Sequence, residues 1–145
     1  MQKVKVKILN KEAKIPMYQS SSAAGADLYA AESQDITIGA GQTVLVKTGI
    51  AMEIPEGYVG LIFARSGLAT KIGVAPANKV GVIDSDYRGE IMVALHNHSG
   101  NDAIISAGDR IAQIALVPYL TAQFEEAEEL SSTERGAGGF GSTGK

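Results

Sequence analysis

The stretch that decides the fold is TVLVKTGIAMEIPEGYVGLIF, residues 43–63. Residues 43–54 are apolar and β-branched, are interrupted at Gly49 and stop at Pro55, which has no N–H for a sheet ladder. Pro55-Glu-Gly57 then reads as a turn, and Tyr58 to Phe63 as the next strand. Outward from here the pattern repeats. Val4, Val6 and Ile8 alternate with Lys3, Lys5 and Lys7, a period-two strand with one wet face. Ile36 and Ile38 begin a short strand before the Gly39-Ala-Gly-Gln42 turn. Ile91 to Leu95 and Ile111 to Val117 add two apolar runs, each after a Gly/Asp/Arg turn. Only Ser66 to Lys71 has helical character. Short strands at a spacing of about 8–12 residues, without an amphipathic helix, predict an all-β chain folded as a jelly-roll-like β-sandwich.

Composition narrows the function. The 145 residues suit one domain, 45% of them are hydrophobic, and no apolar run approaches the roughly 20 residues of a membrane helix. The N-terminus has no apolar signal core, so a cytoplasmic or nuclear location without membrane attachment is expected. Absence of cysteine excludes disulfides, thiolate metal sites and cysteine nucleophiles. A formal net charge of −3 has the wrong sign for binding nucleic acid polymers, so a polyphosphate ligand needs local cations.

Three clusters hold candidate chemistry. Gly81-Val-Ile-Asp-Ser-Asp-Tyr-Arg-Gly89 is the densest. In extended backbone Asp84 and Asp86 would share a side, about 7 Å apart, a spacing that also suits a glycosidase acid pair. Equally, the stretch suits a hairpin tip. Tyr87 could pack on a sugar, and Arg88 could hold an anion. Arg65-Ser-Gly67, after a strand and opening a helical turn, has the makings of an anion site or of a plain surface cap. Asp27 suits a capping acid or a group behind a metal or an arginine. Gln113, among Ile111, Ala112, Ile114 and Ala115, needs a partner unless it faces water. His96 and His98 share a strand face, but no third metal ligand lies near them in sequence.

The C-terminal stretch RGAGGFGSTG, residues 135–144, places five glycines around Arg135, Phe140, Ser142 and Thr143. With little apolar surface to bury, it is expected to be mobile alone. Its side chains nonetheless suit a nucleotide: a flat ring for a base, a guanidinium fork for phosphate, two hydroxyl donors, and unshielded N–H groups around an anion. A plain flexible tail is the competing reading. Glu125, Glu126, Glu128 and Glu129 precede it as an acidic linker, which divides the chain into a β domain at 1–124 and a linker with tail at 125–145.

In order, these pieces resemble the five motifs of the trimeric dUTPases: AGADLYA (24–30), ARSGLA (64–69), NKVGVIDSDYRGEI (78–91), GDRIAQIAL (108–116) and RGAGGFGSTG (135–144). The resemblance spans nearly the whole chain, with Ala64 where the family often has proline. It implies a homotrimer with shared sites that splits dUTP into dUMP and pyrophosphate with Mg²⁺. By this resemblance Asp84 activates the attacking water. Asn78 and the hairpin of Gly81, Val82 and Ile83 read uracil, and Tyr87 packs on deoxyribose. Arg65, Ser66, Gly67 and Gln113 hold phosphates. Asp86, Arg88 and Arg110 support the site, and Asp27 lies in the outer shell of a metal held by the triphosphate and water. Phe140 closes over uracil while Arg135, Gly141, Ser142 and Thr143 reach the phosphates. Two other readings differ in class. A dCTP deaminase of the same fold would carry a catalytic glutamate where this chain has Ala94. A non-catalytic jelly-roll binding protein would have no need of Asp84 or the tail.

Overall fold

A computed structural model describes residues 3–139, and eleven strands lie among them. They are β1 (Lys5–Ile8), β2 (Ala26–Tyr29), β3 (Ile36–Ile38), β4 (Thr43–Lys47), β5 (Ile50–Glu53), β6 (Tyr58–Phe63), β7 (Val74–Pro76), β8 (Gly81–Ile83), β9 (Met92–Asn97), β10 (Ala103–Ile105) and β11 (Arg110–Pro118). Every pairing is antiparallel. The sheets run β2-β11-β6-β8, β4-β9-β7, β1-β5 and β10-β3, a jelly-roll-like all-β arrangement. No helix among the described residues is long and apolar enough to cross a membrane.

The 43–63 stretch does what its residues dictate. Gly49 adopts a left-handed φ of 66°, and there the chain leaves the β4 sheet to enter β5 in another. The crossing is fastened by the Thr48 hydroxyl, which donates to the Ile91 carbonyl at 2.5 Å, and by Gly49 N–H, which donates to the Glu90 carboxylate at 2.9 Å. Gly57, φ 81°, completes the turn into β6. Inward-facing Ile38, Val46, Ile50, Val74, Leu95 and Ile111 are part of one continuous core. Fully buried Asn97 donates to the carbonyls of Ile38 and Asn101, both at 2.8 Å, and accepts from Ser99, so it is satisfied as a buried amide must be.

Helical character at 66–71 is realised as a short π-helical turn over Leu68–Ile72, ended by left-handed Gly73. The run expected at 91–95 is shifted: β9 begins at Met92 and reaches Asn97. β2, β7, β8 and β10 have no counterpart among the strands read from the sequence. β2 is buried on both faces, so it lacks the alternation that betrays a strand, and the other three are only three residues long. Past β11, Tyr119 N–H donates to the Gly57 carbonyl at 3.1 Å. The hydrogen bonds of the described residues 120–139 are then all local. Leu120 and Phe124 are 91% and 94% exposed.

Candidate active site

Two polar clusters are built at opposite ends of β6. The first gathers on β2 and β11. Asp27 points inward from β2, with its side chain only 7% exposed, and accepts from Arg65 Nε at 2.7 Å and from an Arg110 terminal nitrogen at 3.3 Å. The acid therefore stands behind two arginines. A buried carboxylate between two guanidiniums keeps its charge compensated and fixes both forks in direction. Arg65 follows the end of β6, and a further donor of its guanidinium reaches the Arg110 carbonyl at 3.5 Å. Ser66 and Gly67 lie exposed where the helical turn begins.

Gln113 completes this cluster. β11 lies between β2 and β6, so Gln113 is not on an edge strand. Its amide Nε2 donates to the Ala64 carbonyl at 2.9 Å, which supplies the partner that its apolar neighbours cannot. Gly25 leaves room for it: a Cβ there would stand 2.5 Å from Gln113 Oε1. Gly25 drew no notice as a single residue in the sequence, because closeness to a side chain 88 positions away has no local signal.

The second cluster is the turn after β8. Asp84 to Tyr87 are not extended, which corrects the expectation of two acids projecting side by side. Tyr87 N–H donates to the Asp84 carbonyl at 3.2 Å and closes a tight turn. The acid-pair geometry of a glycosidase has no basis in such a turn. Arg88 folds back on the same segment, donating to the carbonyls of Ser85 at 2.6 Å and Tyr87 at 3.0 Å. Its hydrogen bonds therefore stiffen the hairpin. Asp84 and Asp86 are exposed at an open cleft of about 890 Å³ that also includes Lys3, Lys5 and Arg88. On the other side of the turn, Val82, Ile83, Asp84 and Tyr87 meet Leu45 and Met92 around a recess of about 230 Å³. Asn78 lies exposed near Gly81, in a segment where Lys79 takes a left-handed φ of 66°.

Register sets the clusters apart. Ile83 pairs with Gly60 while Phe63 pairs with Gln113. Arg65 is thus five residues beyond the level of Ile83, about 17 Å at ~3.4 Å per residue. Neither cleft at Asp84 includes Asp27, Arg65 or Gln113.

Of the tail residues, Arg135 is described, and its Nε donates to the Gly138 carbonyl at 2.8 Å. Phe140, Gly141, Ser142 and Thr143 lie outside the described residues. Ala94 lies on β9 opposite Leu45, so this position offers no acid for deamination. The His96 and His98 rings meet edge to face with centroids 4.4 Å apart, and His96 Nδ1 shares a hydrogen bond with the Thr43 hydroxyl at 2.8 Å. No third His, Asp or Glu joins them among the described residues.

Comparison with known proteins places the chain in a family. A deoxyuridine 5'-triphosphate nucleotidohydrolase of Nautilia profundicola is 54% identical over 143 residues, covering 99% of each chain. One from Desulfitobacterium hafniense is 50% identical over 149 residues, again covering 99% of each. Among solved structures, the Staphylococcus bacteriophage 80alpha dUTPase with dUPNHPP superposes with a TM-score of 0.91 at 31% identity over all of both chains. A mutant dUTPase from the S. aureus phage phi11, described with a structural Mg(II) ion, gives a TM-score of 0.79 at 26% identity and covers 88% of this chain and 98% of its own. The sequence model of the dUTPase family matches residues 11–144. With its paired arginines, its acid-bearing turn and this family match along nearly its full length, the chain belongs to the dUTPase family.

Proposed function

We propose that the protein is a dUTP diphosphatase that hydrolyses dUTP to dUMP and pyrophosphate, keeping uracil out of DNA and supplying dUMP for thymidylate synthesis in the cytoplasm. The observation that carries this reading is the Asp27-organised pair of Arg65 and Arg110 beside Gln113, an anion grip in a chain of negative net charge. Phosphoryl transfer asks chiefly for positioning and charge neutralisation, and aligned guanidiniums supply both. Asp84, exposed at the turn, takes the proton of a water attacking the α-phosphorus. A new O–P bond forms as the bridge to the β-phosphate breaks. Asn78 and the backbone of Gly81, Val82 and Ile83 read uracil, which leaves groups unpaired when cytosine is offered. Tyr87 packs on deoxyribose, where a 2′-hydroxyl has no room.

Mg²⁺ fits this chain as an ion carried by the triphosphate. No three acidic or imidazole groups converge among the described residues. The acid beside the arginines, Asp27, has both oxygens engaged by guanidinium, which leaves it an outer-shell role through water. Bound to the phosphates, the ion would neutralise charge building on the leaving pyrophosphate.

Separation of Asp84 from Arg65 favours a shared site. Within one chain the base and the phosphate grip stand about 17 Å apart along the sheet, a separation that favours a second copy supplying the other half, with a homotrimer closing the arrangement. Exposed Leu45, Val82 and Met92 around the Asp84 turn offer an apolar surface for that contact. The tail, residues 125–145, then reaches a further site, with Phe140 over the base and Arg135, Gly141, Ser142 and Thr143 on phosphate. Pyrophosphate release from dUTP, but not from dCTP or dTTP, is the expected result. Mixing Asp84→Asn subunits with tail-deleted subunits, each inactive alone, should restore part of the activity. Equal turnover of dCTP would overturn the substrate assignment, and an active monomer the shared site.

A further inference from the structure

Gly89 follows Tyr87-Arg88 and has no conformational need to be glycine. Its φ lies outside the left-handed region, where six other described glycines of this chain are found. What excludes a side chain there is the Tyr87 ring. A Cβ on Gly89 would lie 2.6 Å from Tyr87 Cζ and 2.9 Å from Cε2, and closer still to the hydroxyl. Ordinary carbon contacts are about 3.5–4.0 Å, so ring and methyl cannot coexist as placed.

The ring is also tied from the other side. Its hydroxyl donates to the Glu90 carbonyl at 2.9 Å. Glu90 is in turn anchored: its carboxylate accepts from Gly49 N–H at 2.9 Å, and the next residue, Ile91, donates its N–H to the Ile50 carbonyl at 2.8 Å. Through Glu90, an exposed aromatic ring is thereby fastened to the crossing between β4 and β5. With Tyr87 N–H bonded to the Asp84 carbonyl, the residue is held at both backbone and phenol.

We propose that Gly89 and Glu90 are positioning residues that seat the Tyr87 ring and so set the preference for 2′-deoxyribose over ribose. This rests on the reading of Tyr87 as the wall against the sugar. A ring held by its tip cannot swing aside for one extra hydroxyl, whereas a displaced ring can.

The test compares kcat/KM for dUTP and UTP in the full-length protein. Gly89→Ala should lower the dUTP/UTP ratio by about tenfold or more, the order expected when a fitted contact is lost. The melting temperature and assembled mass should stay near wild type. Glu90→Ala, which removes the carboxylate's bond to Gly49 N–H but leaves the carbonyl that holds the ring, should lower the ratio in the same direction by a smaller factor. If Gly89→Ala retains the wild-type ratio, or loses both substrates equally, the seat does not control selection. Should Gly89→Ala not fold, Tyr87→Phe, which keeps the ring but loses its bond to the Glu90 carbonyl, gives the second reading: an unchanged dUTP/UTP ratio there refutes the seat. A wild-type protein that turns over dUTP and UTP alike fails at an earlier point, in the role given to Tyr87.

Discussion

Replacing Asp27 by Asn tests whether this acid organises the site. Its side chain is 7% exposed, against 24% for Arg65 and 44% for Arg110. Deleting one partner of a fully buried ion pair costs about 3–5 kcal/mol, because the other charge is left unpaired. Here that figure is an upper bound. Arg110 is nearly half in water, so its 3.3 Å bond is worth nearer the ~0.2–1 kcal/mol of a surface pair. Asn also keeps the shape and one acceptor oxygen for Arg65 Nε. About 2 kcal/mol remains, mostly from the 2.7 Å bond to Arg65, whose guanidinium has less water to turn to. In a chain of this size that lowers the melting temperature by about 5–8 °C. Two guanidiniums without their common counter-charge also repel each other, so kcat/KM for dUTP should fall about tenfold as the grip loses alignment. Bound nucleotide supplies replacement negative charge, so the melting deficit should shrink when a non-hydrolysable dUTP analogue is added. Scanning calorimetry with and without that analogue reads both effects. Glu53→Gln, which breaks the exposed pair with Lys5, is the control and should change little. An Asp27→Asn protein with wild-type melting and wild-type kcat/KM would refute the organising role.

Three further outcomes follow from the same geometry. Asp84→Asn should lower kcat by about 10²–10⁴-fold with little change in nucleotide affinity, measured by single-turnover kinetics and equilibrium binding; near-normal kcat removes Asp84 as the base. Gly25→Ala should push Gln113 from its bond to the Ala64 carbonyl, costing about 1–2 kcal/mol and raising KM for dUTP; unchanged values would mean that Gln113 finds another rotamer without loss. His98 has its pKa lowered by desolvation first, then by the charges of His96 and Lys79. The folded protein therefore resists a proton that the unfolded chain accepts, so this group's contribution is steady above about pH 6.5 and stability falls as pH drops below it. His98 is exposed, so the effect is small: between pH 7.5 and 5.5, urea denaturation should show a slightly smaller loss of stability in His98→Gln than in the wild type.

The period of a strand and the punctuation of a turn are local properties, and they were legible in the amino-acid order. The run at 43–54, its break at Gly49, the Pro55-Glu-Gly57 turn, and the strand to Phe63 all stand as their residues predict. So does the helical turn after Arg65. The motif residues were identifiable too, since a guanidinium or a carboxylate announces its chemistry by type. Their partners were not. Asp27 meets Arg65 and Arg110, 38 and 83 positions away, and no local pattern encodes a bond across such separations. Asp84 and Asp86 show the converse failure, because two-residue spacing gives one face only if the backbone is extended, and a bond from Tyr87 N–H bends it into a turn. Gly89 reads as an ordinary turn glycine and Gly25 carries no signal of its own, yet each leaves room for a neighbouring or distant side chain, Tyr87 or Gln113. By itself the sequence determined the strands that carry a clear period or turn boundary, and the chemical type of the groups offered to a ligand. Antiparallel pairing along β6 decided which groups share an end of the molecule, because register sums contacts over the whole chain and puts the Asp84 turn and the arginine grip apart.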